Sequence, residues 1–237
     1  MKQLFFSFVA CMTTLTLQAQ SLKDFPLCQQ TTEYTCGPVS ALMVLEYVGL
    51  NDETETSLAQ KMRTHTDSSS PGSMPGTAHI LYDYGTDIEK MHRYFETRRD
   101  IEILASSFMS EFHGEVLTDT LHVGIQAVGN HRPHFANYEE AEHFFSTQLS
   151  NGFPVVVCWA SWGGHWTVLI GIDNGGTPDY IEDDILIMAD PYDTFDRKAD
   201  GLTEVPFVQF FHSWFCVMSP KPWQLQPFIV VTRKKPI

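Results

Sequence analysis

The sequence predicts a single α+β domain in which an N-terminal helix packs on an antiparallel sheet. Three observations carry that prediction. The stretch from Gln30 to Gly49 reads as a loop running into a buried helix, and a series of short apolar runs between Pro154 and Ala189 reads as adjacent strands. Nothing in the 237-residue chain repeats, and no low-complexity linker divides it. With 43% hydrophobic and 13% aromatic residues, a chain of this length buries a full core without staples.

Met1 to Ala19 comes before that domain. It has Lys2, an apolar stretch from Leu4 to Leu17, and Leu17-Gln18-Ala19 as a small-residue cleavage site, which is the pattern of a secretory signal peptide. The apolar run is too short to span a membrane. Cys11 follows Val9-Ala10 as in a lipoprotein, but it comes very early and the apolar segment continues past it, so lipid anchoring is disfavoured. The expectation is a signal peptide over residues 1–19, a single domain over 20–237, and a secreted or periplasmic bacterial protein.

The first helix sets the chemistry. Pro38 suits a first helical turn, Val39 to Val48 are nearly all apolar or small, and Gly49 supplies the stop, so Cys36 lies at or just before the helix N-terminus. Unpaired N–H groups and the positive dipole end favour a thiolate there. The dipole contributes about 0.3–1 kcal/mol, whereas one pKa unit is about 1.36 kcal/mol, so the helix alone cannot bring a thiol from about 8.5 to well below 7. A charged partner is required, and histidine is the natural one. The competing reading of Cys36 is a buried structural thiol or a bridge to Cys28. Gly37, which leaves room beside the sulfur, and Gln30, whose amide can reach an oxyanion there, favour a nucleophile.

Further along, Ser57 to Arg63 reads as a short amphipathic helix and Asp67 to Gly76 as a loop, with Thr77 capping a helix through Tyr82 that Gly85 ends. Ile88, Met91 and Phe95 have helical spacing within Asp87 to Arg98, and Ile101 to Leu104 reads as a strand. Residues 106–136 take no assignment, and the role of residues 64–136 stays open. Asn137 with Glu140 forms a capping box ahead of a stripe of Ala141, Phe144, Phe145 and Leu149, which Gly152 ends. Pro154 to Trp159, His165 to Ile172 and Ile185 to Ala189 read as strands, Ser161 to Gly164 as a tight turn, Pro206 to Trp214 as a helix, and Phe228 to Thr232 as a last strand.

If the strands beginning at His165 and Ile185 are antiparallel neighbours, Ile185 falls opposite Ile172 and Asp190 returns beside Thr167 and His165. Asp173 is excluded as the orienting acid, because eight extended residues place it about 26 Å from His165. Thiolate, imidazole and orienting carboxylate are what covalent acyl transfer requires: attack by Cys36, proton donation to the leaving amine by His165, and tautomer control by Asp190. Taken singly, His165 reads as a strand-edge histidine and Asp190 as a turn residue before Pro191; their joint occurrence after Cys36 favours the catalytic reading.

Other signals point elsewhere or nowhere. A net charge of -14 and a pI near 5.0 argue against nucleic acid or an anionic membrane surface as partner. His131, His134 and His143 lie near Glu139 and Glu140, but Arg132 and Pro133 break the local geometry and no HExxH pattern exists, so no metal is expected. Glu182-Asp183-Asp184 lacks the spacing of a calcium loop and reads as a solvated turn. Trp159, Trp162 and Trp166 flank the site as core or pocket walls. With Cys36 unbridged, at most one disulfide fits among Cys28, Cys158 and Cys216, and their spacing does not choose it.

The residues Gln30 with Cys36-Gly37-Pro38 and the helix to Tyr47-Val48-Gly49, Gly164-His165-Trp166 running into Thr167 to Asp173, and Ile185 to Pro191 together resemble one known family. It is that of the bacteriocin-processing, double-glycine leader peptidases and their stand-alone relatives among the papain-like cysteine peptidases. The resemblance extends from residue 28 to about 232. It implies a papain-like fold, a cysteine peptidase or amidase that needs no cofactor, and a peptide or protein substrate. By the same resemblance Cys36 is the nucleophile, His165 the base, Asp190 the orienter, and Gln30 with the Cys36 backbone N–H the oxyanion hole. A transglutaminase-like acyl transferase on the same triad, or a non-catalytic peptide-binding module, are the other functions these residues allow.

Overall fold

The computed structural model describes residues 20–64, 85–108, 134–177, 180–194, 197–216, 219 and 223–235. The expected signal peptide, the loop over 67–76, the helix over 77–82, His131 and most of the unassigned stretch after residue 106 lie outside them. Among the described residues seven strands make one antiparallel sheet: β1 (Gln20–Ser21), β2 (Ile101–Ser106), β3 (Val155–Trp159), β4 (His165–Asp173), β5 (Ile185–Ala189), β6 (Leu202–Pro206) and β7 (Phe228–Arg233). The order across the sheet is β2-β7-β3-β4-β5-β6. Long β4 is shared along one edge, where residues 165–169 pair with β3 and Gly171 and Ile172 pair with β1.

Among the described residues five helices cover the two faces: α1 (Cys36–Tyr47), α2 (Glu55–Lys61), α3 (Ile88–Thr97), α4 (Tyr138–Ser150) and α5 (Phe207–Ser213). On one face Ala41, Met43, Val44 and Leu45 of α1 and Ile88, Met91 and Phe95 of α3 pack against Val156, Trp166, Val168 and Ile229. On the other face Phe145 and Leu149 of α4 and Phe207, Phe210 and Phe211 of α5 pack against Val157, Leu169, Leu186 and Phe228. The central strands therefore bury both faces, which explains why β3 and β4 read as unbroken apolar runs rather than alternating ones. The expected arrangement, a helix bearing Cys36 packed on an antiparallel sheet, is the observed one.

Local chemistry places the helices. α1 is apolar almost all round and its first six residues are all buried, as befits a helix that docks on a sheet rather than lying on the surface. Asn137 caps α4 by accepting from the Glu140 N–H at 2.9 Å, while the Glu140 carboxylate accepts from the Ala136 N–H at 2.8 Å, one residue before the usual reciprocal partner. α2 begins two residues earlier than its apolar spacing suggests, because Thr54 and Ser57 form the capping box. β1 and β6 have no counterpart in the sequence reading. β1 is two residues long, and β6 is a short edge strand that ends at Pro206, where a proline is tolerated because no further strand needs its N–H.

Candidate active site

Cys36 opens α1 and is 6% exposed. Its neighbour Gly37 is there for space: a Cβ at that position would stand 2.9 Å from Thr86 Cβ and 3.2 Å from Trp166 Cδ1. The room expected beside the sulfur is thus used by the protein itself, letting α1 press against the start of β4. Trp166 is pinned in turn, its Nε1 donating to the Thr86 carbonyl at 2.7 Å.

His165 is the first residue of β4. The turn before it needs backbone angles that side chains resist, with φ of 82° at Gly163 and 149° at Gly164. Trp159 of β3 pairs across from His165. The ring is 4% exposed, and its Nε2 lies 2.6 Å from Asp190 Oδ1. With Nε2 committed to Asp190, Nδ1 is the nitrogen left for Cys36, whose side chain acts on the ring. Burial works against a charged ring, but the Asp190 and Cys36 side chains outweigh it and push the His165 pKa up to about 10.

Asp190 reaches this position through an irregularity. From Asp173 to Gly171 the β4–β5 pairs run Asp173↔Ile185, Ile172↔Leu186 and Gly171↔Ile187, and after a bulge between Gly171 and Leu169 they run Leu169↔Met188 and Val168↔Ala189. The shift places Asp190, the next residue, across from Thr167, on the face that His165 shares. Without it Asp190 would follow Val168 onto the opposite face. The ladder thus starts one residue away from the expected Ile185–Ile172 pairing, and the bulge restores it before the site.

The Asp190 carboxylate is 2% exposed and fully engaged: Oδ1 also accepts from the Tyr192 N–H at 2.9 Å, and Oδ2 accepts from Thr203 Oγ1 at 2.8 Å. Burial would raise its pKa, but the His165 ring and these donors hold it below the usual carboxylate range. Asp173, at the far end of β4, is exposed.

The segment before Cys36 docks on the same turn. The Gln30 N–H donates to the Pro191 carbonyl at 2.7 Å, and Gln29 Nε2 donates to the Asp190 carbonyl at 2.8 Å. Gln29 is therefore a clamp on the Asp190 turn. Gln30 Nε2 donates to the Thr32 carbonyl at 2.6 Å. A carbonyl only accepts, so the amide nitrogen faces it, and the buried Oε1 has no hydrogen-bond partner among the described residues. The structure thus brings Cys36, His165 and Asp190 together, and sets Gln30 beside them through its backbone. Thr203 and Gln29 were not singled out by sequence reasoning. Thr203 lies in an unrecognised strand, and no local pattern marks a residue that serves a partner thirteen positions away.

Among the described cysteines no disulfide is formed. Cys28 donates to Glu46 Oε2 at 3.5 Å, and burial together with that carboxylate pushes its thiol up to about 11. Cys158 and Cys216 are both fully buried and lie close enough to act on each other, so of the pairings left open by spacing this is the one whose members meet. No group of three His, Cys, Asp or Glu side chains among the described residues is gathered as metal ligands, and no helix among them is long and apolar enough to cross a membrane.

A buried histidine–carboxylate pair at a sheet end, facing a cysteine at a helix mouth, defines a cysteine-peptidase-like domain. Residues 22–215 match the Peptidase_C39 like family, and the chain belongs to that family. A crystal structure from Bacillus anthracis, assigned as a C39-like peptidase, aligns with a TM-score of 0.49 and 16% identity, covering 92% of this chain and 98% of that one. No curated protein matches the sequence.

Proposed function

We propose that this chain is an exported cysteine peptidase or amidase that hydrolyses a peptide or amide bond through Cys36, His165 and Asp190. The observation that supports it most is the 2.6 Å contact of His165 Nε2 with Asp190, which leaves Nδ1 to Cys36. The ring is held protonated, and Cys36 reacts with substrate as its thiolate. The thiolate adds to the substrate carbonyl, and the resulting oxyanion is received by the Cys36 N–H and by the second N–H of Gln30 Nε2. His165 passes its proton to the departing amine as the carbon–nitrogen bond breaks, leaving a thioester on Cys36. The neutral ring then takes a proton from water, whose oxygen attacks the thioester, releasing the acid and restoring the thiolate.

Labelling the purified protein with a thiol-directed acylating probe should place the label on Cys36, with label-competent protein also hydrolysing a peptide amide. An oxyanion donor acts only on developing charge, so Gln30→Ala should alkylate at the normal rate yet turn over about 10²–10³ slower. Labelling elsewhere, or equal turnover in that variant, would defeat the respective assignment. Supplying amines beside water as acceptors separates a hydrolase from an acyl transferase.

Export belongs to the same reading, with residues 20–237 as the mature domain. It is supported by the place of Gln20 right after the small-residue site: Gln20 pairs with Ile172, and its Nε2 donates to the Ser146 carbonyl at 3.2 Å, so a chain that starts there keeps this strand. Intact mass of protein recovered from its native host should correspond to a chain beginning near Gln20, and a mass that retains Met1 would contradict export by this signal.

A further inference from the structure

The loop that leads into Cys36 is tied to one carboxylate that the mechanism above does not use. Glu55, the first residue of α2, accepts from the Thr31 N–H and Thr31 Oγ1, each at 2.9 Å, and from the Thr35 hydroxyl. Because Thr35 gives its proton to Glu55, the 2.7 Å contact between Thr32 Oγ1 and Thr35 Oγ1 has Thr32 as donor. Thr32 also offers its carbonyl to Gln30 Nε2. One anion therefore closes a hydrogen-bonded chain from Gln30 to the residue before Cys36.

Glu55 has a firm base. Two residues earlier, the buried Glu53 carboxylate is gripped by Lys61 Nζ at 2.6 Å, by Ser57 Oγ at 2.6 Å, and by Tyr94 and Arg98, each at 3.0 Å. The start of α2 is thereby fixed to α3, and a short carboxylate side chain projecting from it has little freedom.

The consequence lies at the mouth of α1. Thr35 occupies the N-cap position, where a threonine hydroxyl ordinarily accepts from a first-turn N–H, yet here it makes no cap bond. Pro38 has no N–H, and Val39 N–H is taken by the Thr35 carbonyl at 2.9 Å. Gly37 N–H is thus the donor a Thr35 cap would consume, and neither it nor Cys36 N–H has an acceptor among the described residues. We propose that Glu55 is a positioning residue for the nucleophile: it draws the Thr35 hydroxyl away from α1, keeping the Cys36 and Gly37 N–H groups open and oriented toward an oxyanion. This rests on the peptidase reading, since an open helix mouth matters only if charge develops there.

The test is a pair of substitutions whose effects should not add. Glu55→Ala is expected to lower kcat by about 10–100-fold, part of what a lost oxyanion donor costs, with KM and the Cys36 alkylation rate within about threefold of the parent. Thr35→Val removes the hydroxyl that would cap and should stay within about threefold on its own. In Glu55→Ala/Thr35→Val, turnover should recover to near the Thr35→Val level, because nothing is left to occupy the Gly37 N–H. A merely structural clamp predicts the reverse, with the double variant slower than either single one, and that result would overturn the proposal. Glu55→Gln, which keeps one acceptor oxygen, should retain intermediate activity and serves if the alanine variant does not fold. Amide hydrogen exchange at Gly37 separates this idea from the peptidase reading. Exchange should slow in Glu55→Ala and return to the parent rate in the double variant even if no amide substrate is ever turned over; unchanged exchange in Glu55→Ala sinks the proposal alone.

Discussion

Asp190→Asn should lower turnover by about 10³–10⁴-fold while leaving Cys36 in place and the fold intact. The carboxylate accepts from three donors at once, His165 Nε2, the Tyr192 N–H and Thr203 Oγ1. An asparagine offers one oxygen and an NH₂ in the same space, so one donor meets another donor or the ring turns over its tautomer. In the second case the proton moves to Nδ1, the nitrogen facing Cys36, and a neutral ring cannot then act as base. The acid side of the pH dependence should change as well. A carboxylate whose folded pKa is depressed contributes stability above its unfolded value of about 3.9 and loses it as pH falls through the lower folded value. Asp190→Asn should lose that acid-limb dependence. Steady-state kinetics with a peptide amide and thermal unfolding between pH 2 and 7 measure both, and turnover within tenfold of the parent would show that Asp190 does not orient the ring.

Replacing His165 should be at least as damaging, with turnover down by about 10⁴-fold or more and a separate loss at the thiol itself. In the parent the ring is charged across neutral pH, because Asp190 and Cys36 outweigh burial. His165→Ala removes that charge, so alkylation of Cys36 at pH 7 should fall by roughly tenfold or more, the dipole of α1 being too weak to hold a thiolate alone. It also leaves the Asp190 carboxylate buried without its cation, which costs about 3–5 kcal/mol. For a group whose folded pKa is raised, the stabilisation is fully present below the unfolded value of about 6.5 and disappears as pH rises through the folded one. The parent should therefore lose stability as pH approaches about 10, and His165→Ala should show no such alkaline loss. An unchanged pH profile of alkylation in the variant would mean that the two side chains do not act as a pair.

Helix α1, the Asn137-capped α4 and the strands β3, β4, β5 and β7 lie within a residue or two of where periodicity and caps place them. Cys36, His165 and Asp190 were legible for a related reason. Each sits at a punctuation mark, a helix start before Pro38, a strand start after two glycines, or a strand end before Pro191, and such positions are written in adjacent residues. Even the Asp190–His165 juxtaposition followed from counting along two strands, although the count came out right only because a bulge near Ile170 compensates for a ladder that begins one residue off.

What the sequence by itself determined is therefore the layout of the domain and the places of Cys36, His165 and Asp190 within it, because local propensity and pattern decide where elements begin and end. Tertiary structure alone decided how those side chains are held. Thr203 supports Asp190 from β6, Gln29 clamps its carbonyl, Thr86 and Trp166 leave no room for a Cβ at Gly37, and Glu55 restrains the loop before Cys36 from the start of another helix. None of these residues differs in its own neighbourhood from an ordinary surface or strand residue. Their roles arise from hydrogen bonds that span from 13 to 161 positions of sequence, and contacts of that kind come into being only when packing has brought the elements together.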